Sequence, residues 1–308
     1  MKETQQSLHT NPLVSILLLS MNHEKFIEQC IVSLKEQTYK NIEVIYLDNA
    51  SVDRTFEVGK KALKESGVSH KIFSNAESKG ISKNLNFLFK NSTGEYIIPL
   101  STDDWLTPDS ICEKVKCYLE HSEFGMVYSS CFYYLHDTAE KIECPRKNKF
   151  KSGWVLPEIL KGNFIRSVGS IIKRETLNTV GLFDEDSLLE DWDMWIRIAT
   201  KFPLGYINKE LAFYRIKTGT NVTANNDYMF KGADYIVQKY SHYKEIQEAK
   251  KNITISKCYS YATYKPSFKT IFFILENSEF DFFYFKQLVK TVLGIVRKPF
   301  IKRTIISN

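Results

Sequence analysis

The stretch Leu13–Asp48, LVSILLLSMNHEKFIEQCIVSLKEQTYKNIEVIYLD, decides the architecture. Leu13–Leu19 is a mostly apolar run of strand length, the pattern of a parallel strand buried on both faces. The polar segment SMNHEKF turns the chain, and Phe26–Gln37 then places Ile27, Cys30, Ile31 and Leu34 along one face of an amphipathic helix. Ile42–Leu47 is a second apolar strand, and it ends in Asp48. Strand, turn, helix and strand in this order imply a parallel sheet with crossover helices, an α/β fold.

Working outward, Thr55–Ser66 and Ser82–Asn91 read as helices, and Lys71–Ser74 and Tyr96–Leu100 as strands. Pro108 re-initiates the chain as a helix, whose body is Ile111–His121. The later half is more mixed: a strand at Gly125–Leu135, a polar loop at His136–Lys151, a strand at Val168–Lys173 and a short helix at Glu175–Val180. A helix at Asp191–Lys201 and a last strand at Leu211–Ile216 follow. After about Thr218 the character changes to a polar, helical Tyr228–Tyr264 and then aromatic-rich segments.

The 308 residues, 43% hydrophobic and 25% charged, suit one large domain with an appendage, or two small ones. Six scattered cysteines with no CxxC pair, and six dispersed histidines, exclude zinc spacing. Met1–Asn11 is polar rather than apolar, and no apolar run reaches the roughly 18 residues of a membrane span. The expectation is a cytoplasmic protein with reduced thiols. The net charge of +6 resides entirely in the tail: Lys286, Lys290, Arg297, Lys298, Lys302 and Arg303 have no acid among them after Phe282, and the rest is neutral.

Three acidic stretches can carry chemistry. DNASVDRT (Asp48–Thr55) leaves a buried strand at the carboxyl edge of the sheet, where ligands bind in open α/β folds. Asp48 there suits a ribose hydroxyl or a base N–H, while Ser51 and Asp53 also suit a turn that starts the next helix. In PLSTDDWLTPD (Pro99–Asp109), the adjacent acids Asp103 and Asp104 repel each other unless a divalent cation gives both a hard-oxygen partner. An Asx-type turn capping the following helix fits the same residues. In EDWDMW (Glu190–Trp195), acids in a first helical turn suit the helix dipole, and equally a general base over a sugar pocket with tryptophan faces for stacking.

LVSILLLSMN, DNASVDRT, NAESKGISKNLN, STDDW, EDWDMW and FYRIKTGT stand in the order and approximate spacing of the family 2 glycosyltransferases of the GT-A fold. The resemblance covers about residues 13–220. It implies a GT-A catalytic domain over residues 13–218, with a nucleotide-binding half at 13–110 and an acceptor half at 111–218. A flexible lead-in (1–12) and a helical C-terminal region (219–308) flank it. It also implies inverting transfer from a nucleotide-sugar, a UDP-sugar foremost, with Mn²⁺ or Mg²⁺.

By resemblance, Ser20, Asn22, Asp48, Asn75 and Lys83 line the nucleotide pocket, with Lys83 standing where many relatives carry Arg. Asp103 faces the ribose and the metal, and Asp104 holds the metal; Ser101 replaces the first Asp of the commoner DxDD form. Asp191 resembles the catalytic base, supported by Glu190, and Trp105 and Trp192 fall to the sugar pocket. Lys217 stands where many relatives have a histidine that reaches the metal or the diphosphate, and can pair with a phosphate instead.

The basic, apolar Phe282–Arg303 reads as an amphipathic helix for a membrane surface, or as one docked on the catalytic domain. A membrane-surface tail suits a polyprenyl-linked glycan acceptor of the O-antigen or capsule kind, with the protein on the inner face of the cytoplasmic membrane. Nucleic acid is a poor partner for a neutral body without a reader motif. The rival classes are a catalytically silent scaffold, against which the joint presence of Asp48, Asp104 and Asp191 speaks, and a nucleotidyltransferase, which needs a Gly-rich loop that SMNHEKF lacks.

Overall fold

The computed structural model describes residues 11–143, 150–216, 224–277 and 286–293. Their strands are β1 (Val14–Ser20), β2 (Ile42–Asp48), β3 (Ser69–Ser74), β4 (Tyr96–Ser101), β5 (Trp105–Leu106), β6 (Met126–Leu135), β7 (Glu140–Glu143), β8 (Ser170–Lys173) and β9 (Leu204–Ile216). The helices are α1 (Ile27–Lys35), α2 (Thr55–Ser66), α3 (Ile81–Lys90), α4 (Ser110–Glu120), α5 (Leu156–Leu160), α6 (Arg174–Val180), α7 (Glu190–Ala199), α8 (Asn226–Lys239), α9 (Ile246–Tyr264) and α10 (Phe268–Asn277). They fall into two compact units, one within Met1–Ile159 and Asn163–Ala224, the other within Leu160–Gly162 and Asn225–Asn308.

The first unit is built on one sheet in the order β3-β2-β1-β4-β8-β6-β9-β5, with β7 paired to β6. β3, β2, β1 and β4 run parallel, as the mostly apolar runs of β1, β2 and β4 imply. β8 enters antiparallel between β4 and β6, and β6 and β9 are parallel to each other. Register puts Ser20 beside Asp48, and Asp48 beside Ser74, so the strand-end polar residues share one edge.

β1, β2 and β4 are buried on both faces, and β3 is a partly exposed edge strand. Val14, Ile16 and Leu18 of β1, with Val44, Tyr46, Ile98 and Leu100, pack in one core with Ile27, Ile31 and Leu34 of α1 and Ile111 and Val115 of α4. Each fully buried aliphatic side chain contributes roughly 1.5–3 kcal/mol relative to exposure. Gly94 lets the turn before β4 cross β1 closely, because a Cβ there would lie 2.5 Å from Ser15 Oγ and 2.7 Å from the Leu13 carbonyl oxygen.

Helix α2 matches its expected span, and the left-handed Gly67 (φ 73°) ends it. The sequence reading needs amendment where the local pattern is weak. The polar His136–Lys151 stretch contains β7, whose side chains are all exposed and which is held by pairing with β6. Val168 lies in a 3₁₀ turn (Ser167–Gly169) ahead of β8. β9 begins seven residues before the expected Leu211, and β5 and α5 were not anticipated.

In the second unit, the helical Tyr228–Tyr264 stretch is two helices, α8 and α9, broken near Tyr240. Cys258, Ala262 and Ile274 form its small core, with Ile255, Phe273 and Leu288 packed against it. Residues 286–293 are helical, and the remainder of the basic tail lies outside the described residues. No helix among the described residues is long and apolar enough to cross a membrane.

Candidate active site

At the carboxyl edge of β1 and β2, Asp48 is buried and accepts from Ser20 Oγ (2.9 Å), Ser51 Oγ (2.6 Å) and the Ser51 backbone N–H (2.9 Å). Asn22, at φ 57°, closes the same loop pair by accepting from the Val52 N–H at 2.9 Å. Asp53 accepts from the Thr55 N–H, so both readings of DNASVDRT hold at once: a built turn and a carboxylate at the sheet edge. Burial pushes the Asp53 carboxyl up, but its bonds from Thr55 and Glu24 outweigh that and hold it low.

Asn75 joins this edge through a network that the sequence did not reveal. Its Nδ2 donates to Asn49 Oδ1 and to Asn84 Oδ1, both at 2.9 Å, and Asn49 Oδ1 also accepts from the Lys79 N–H at 2.8 Å. These bonds fix the loop before α3. Lys83 is exposed on the first turn of α3 and does not line the cavity described next, whereas its neighbours Ile81 and Leu85 do.

A cavity of about 240 Å³ lies beyond the ends of β1 and β4. Asp103, Asp104, Glu190 and Asp191 all face it, with His23, Arg166 and Tyr214. The fold therefore brings together acids that lie nearly ninety residues apart in the chain. Ser20, Asn22, Asp48 and Asn75 surround the adjoining sheet edge instead of lining this space. Lys217 lies outside the described residues.

The acidic pair after β4 is held firmly. Asp103 Oδ1 accepts from Ser101 Oγ at 2.6 Å, and Asp104 Oδ1 accepts from the Arg215 N–H at 2.8 Å. The Arg215 side chain donates Nε to the Asp103 carbonyl at 2.8 Å and Nη2 to Gln29 Oε1. Its guanidinium lies 4.6 Å from the Trp105 ring, 4.9 Å from Phe26 and 5.0 Å from Tyr134. Burial, then the charge of Asp103, pushes the Asp104 carboxyl well above the usual carboxylate range. His23 Nδ1 bonds Thr102 Oγ1 at 2.8 Å, and burial lowers its pKa against the pull of Asp103.

Across the cavity, Asp191 sits in the first turn of α7. Its Oδ1 accepts from the Trp192 N–H at 2.6 Å and its Oδ2 from Asn163 Nδ2 at 3.0 Å. Burial raises its pKa, while the Trp192 N–H, Arg166 and Asn163 favour the charge. Glu190 has no such support beyond its own backbone N–H. Burial and the charge of Asp191 push it up to about 8, so near neutral pH Glu190 carries a proton.

The tryptophans differ from expectation. Trp105 is buried, stacked on Phe213 at 4.5 Å, and Trp192 is buried with Nε1 donating to the Ile159 carbonyl at 2.8 Å. Neither indole lines the cavity. The groups that sequence reasoning missed are His23, Asn49, Asn84, Asn163, Arg166 and Arg215. Each reaches the site through contacts between segments far apart in the chain; only the Asn-rich NLN after Lys83 gave a local signal.

A half-parallel sheet with an acidic pair after its fourth strand and a second acidic pair opening a later helix defines the GT-A class of glycosyltransferase. The model of glycosyl transferase family 2 matches residues 15–175, and the chain belongs to that family. It is 30% identical over 218 residues to an uncharacterized glycosyltransferase of Rickettsia felis, covering 70% of this chain and 35% of that protein. It is 28% identical over 259 residues to a chondroitin synthase of Escherichia coli, covering 82% of this chain and 34% of that protein. The chain thus spans about a third of the length of these curated relatives. Among solved structures, a mannosyltransferase of Pyrobaculum calidifontis in complex with GDP-Man and Mn²⁺ superposes with a TM-score of 0.63 at 17% identity, covering 96% of this chain and 84% of that one.

Proposed function

We propose that this protein is an inverting, metal-dependent glycosyltransferase that moves a sugar from a nucleotide-sugar to a hydroxyl of a glycan acceptor. The observation that carries the reading is the placement of Asp191, hydrogen-bonded by Asn163 and the Trp192 N–H, in one cavity with the Asp103–Asp104 pair. The acceptor oxygen attacks the anomeric carbon as the bond from that carbon to the diphosphate oxygen breaks. Asp191 takes the hydroxyl proton, and the electron pair leaves with the diphosphate on the opposite face. General-base help of this kind is worth about 10²–10⁴ in rate.

The residues present suit a hard divalent cation. Among the described residues no group of three or more His, Cys, Asp and Glu side chains gathers for a metal. Asp103 and Asp104 would hold it, with the donor's own phosphate oxygens completing the shell. Asp104 Oδ2 has no protein partner among the described residues, and the pair is otherwise a costly concentration of charge. Once bound, Mn²⁺ or Mg²⁺ neutralises charge on the departing diphosphate. The mannosyltransferase complex with GDP-Man and Mn²⁺ supports this reading.

Asp48 and the Asn49–Asn75–Asn84 network are assigned to the nucleoside, and Lys217 to a phosphate. The acceptor is a growing surface polysaccharide, an O-antigen or capsule intermediate on a lipid carrier. The chondroitin synthase relative supports the glycan, and the basic tail supports the inner membrane face, since each Lys or Arg near an anionic leaflet contributes on the order of 1 kcal/mol. The test is a binding and hydrolysis screen of UDP-, GDP- and dTDP-sugars, with and without Mn²⁺, on the wild type and Asp104→Ala. Metal-dependent binding of one donor, lost in the variant, is expected. No binding by any donor would return the protein to the scaffold class.

A further inference from the structure

The cavity is electrically lopsided. Asp103, Asp104, Glu190 and Asp191 supply its carboxyl groups, and among the described residues Arg166 is the sole Lys or Arg that lines it. Arg166 lies on the base's side: Asn163, three residues earlier, is the side chain that bonds Asp191. Asp191 and Asp104 act on the guanidinium through space, with no contact ion pair among the described residues.

The guanidinium is aimed rather than loose. Its Nε and Nη2 both donate to the Tyr133 hydroxyl, at 3.2 and 3.1 Å, and its centre lies 5.8 Å from the Tyr133 ring and 5.4 Å from Tyr214. Two of its donors thus converge on one neutral oxygen, and Nη1 meets no acceptor among the described residues. A half-buried, aromatic-walled guanidinium with an unfilled edge prefers an oxyanion, which takes two parallel charge-assisted bonds, over a neutral hydroxyl.

We propose that Arg166 is the specificity residue for an acceptor carrying an oxyanion, a carboxylate or a phosphate, next to the hydroxyl that reacts. This rests on the transfer reading above. A hydroxyl within hydrogen-bond reach of Asp191 brings the neighbouring substituents of its sugar ring toward the 163–167 segment, where Arg166 waits. Apart from the Asp103–Asp104 end, where the reading above puts the metal and the donor diphosphate, Arg166 is the Lys or Arg side chain, among the described residues, that an anion in the cavity meets.

The experiment measures binding of phenyl β-D-glucuronide, its neutral counterpart phenyl β-D-glucoside and phenyl phosphate to the full chain by ligand-observed NMR. Each is run with Mn²⁺ and UDP, GDP or dTDP, and also without nucleotide. The glucuronide or the phosphate should bind at least tenfold more tightly than the glucoside, and the better of the two names the oxyanion. Arg166→Gln should bring the ligands within about threefold of each other. Tyr133→Phe, which keeps the ring and frees the guanidinium, should cut the preference several-fold and guards against an Arg166 variant that fails to fold. Equal binding of anionic and neutral ligands, binding of none, or a preference that survives Arg166→Gln overturns the proposal. So does an Arg166→Gln variant that weakens only the nucleoside diphosphate, which would give the guanidinium to the donor. Failure of every nucleotide to bind counts against the transfer reading alone, because the nucleotide-free runs still report on Arg166.

Discussion

Replacing Asp191 by Asn removes one charge from a position that is otherwise preserved in shape. If Asp191 is the base, the rate of sugar transfer at saturating donor and acceptor should fall by about 10²–10⁴, equivalent to roughly 2.7–5.5 kcal/mol of barrier. The hydrogen bonds define what else changes. An amide oxygen in place of Oδ1 still accepts from the Trp192 N–H, but an NH₂ in place of Oδ2 faces the Nδ2 of Asn163. Asn163 cannot simply turn over, because its Oδ1 accepts from the Ile165 N–H at 3.1 Å. One bond is lost and a donor is left unmet, a local cost of about 1–3 kcal/mol that relief of a buried charge partly offsets. Asn163→Ala separates the two effects, since it loses the same bond and keeps the carboxylate; its rate should fall by no more than about tenfold. Rapid-quench measurement of nucleotide release in a single turnover, with thermal melts of each variant, gives both quantities. An Asp191→Asn rate equal to that of Asn163→Ala, or within threefold of the wild type, refutes the assignment.

The pH profile of kcat/KM should be a bell. The rate falls at acid pH as Asp191 takes a proton, with that limb displaced above the usual carboxylate range, and falls again near pH 8 as Glu190 ionises and adds a second charge. Glu190→Gln mimics the protonated acid, so it should keep the acid limb and lose the alkaline one; a persisting alkaline limb counts against the pairing. Gly94→Ala should destabilise the fold by about 1–3 kcal/mol in urea titration, because its Cβ would lie within 2.7 Å of β1 backbone atoms; a change under 0.5 kcal/mol, a threshold of the order expected at surface sites, would show that the turn yields. Lys114 is fully buried with Ser110 Oγ as its hydrogen-bond partner, and burial lowers its pKa to about 7. The unfolded chain keeps that proton to about pH 10.4, so the wild type gains stability as pH rises from 7 toward 10. Lys114→Met should be the more stable protein at pH 7, with its advantage shrinking over that interval in matched denaturant titrations.

Sequence pattern carried β1, β2 and β4 because each is buried along nearly its whole length and announces itself as a mostly apolar run, whereas the edge strand β3 (SHKIFS) exposes Ser69, Lys71 and Ser74 and was legible only over Lys71–Ser74. It failed at Glu140–Glu143, four exposed residues that form a strand only because β6 offers them partners, and along Leu204–Glu210, where no apolar alternation marks the start of β9. The acidic stretches were visible as chemistry, since carboxylates at strand and helix ends are local facts. Their supports were not. Asn163 beneath Asp191, Arg215 beneath Asp103 and Asn49 beside Asn75 acquire meaning only when distant segments meet. The tryptophans misled for the complementary reason: an aromatic beside an acid can point either into a pocket or into the core, and sequence spacing does not choose.

The bond from the Arg215 N–H to Asp104 belongs to the main chain. Every amino acid except proline presents that N–H, so the aim of the Asp104 carboxylate is insulated from most mutational drift at position 215. The guanidinium beside it has no such protection, and any change of residue there removes its hold on the Asp103 carbonyl and on Gln29. Heritable variation can therefore alter how rigidly the acidic pair is braced while leaving the direction of its second carboxylate intact.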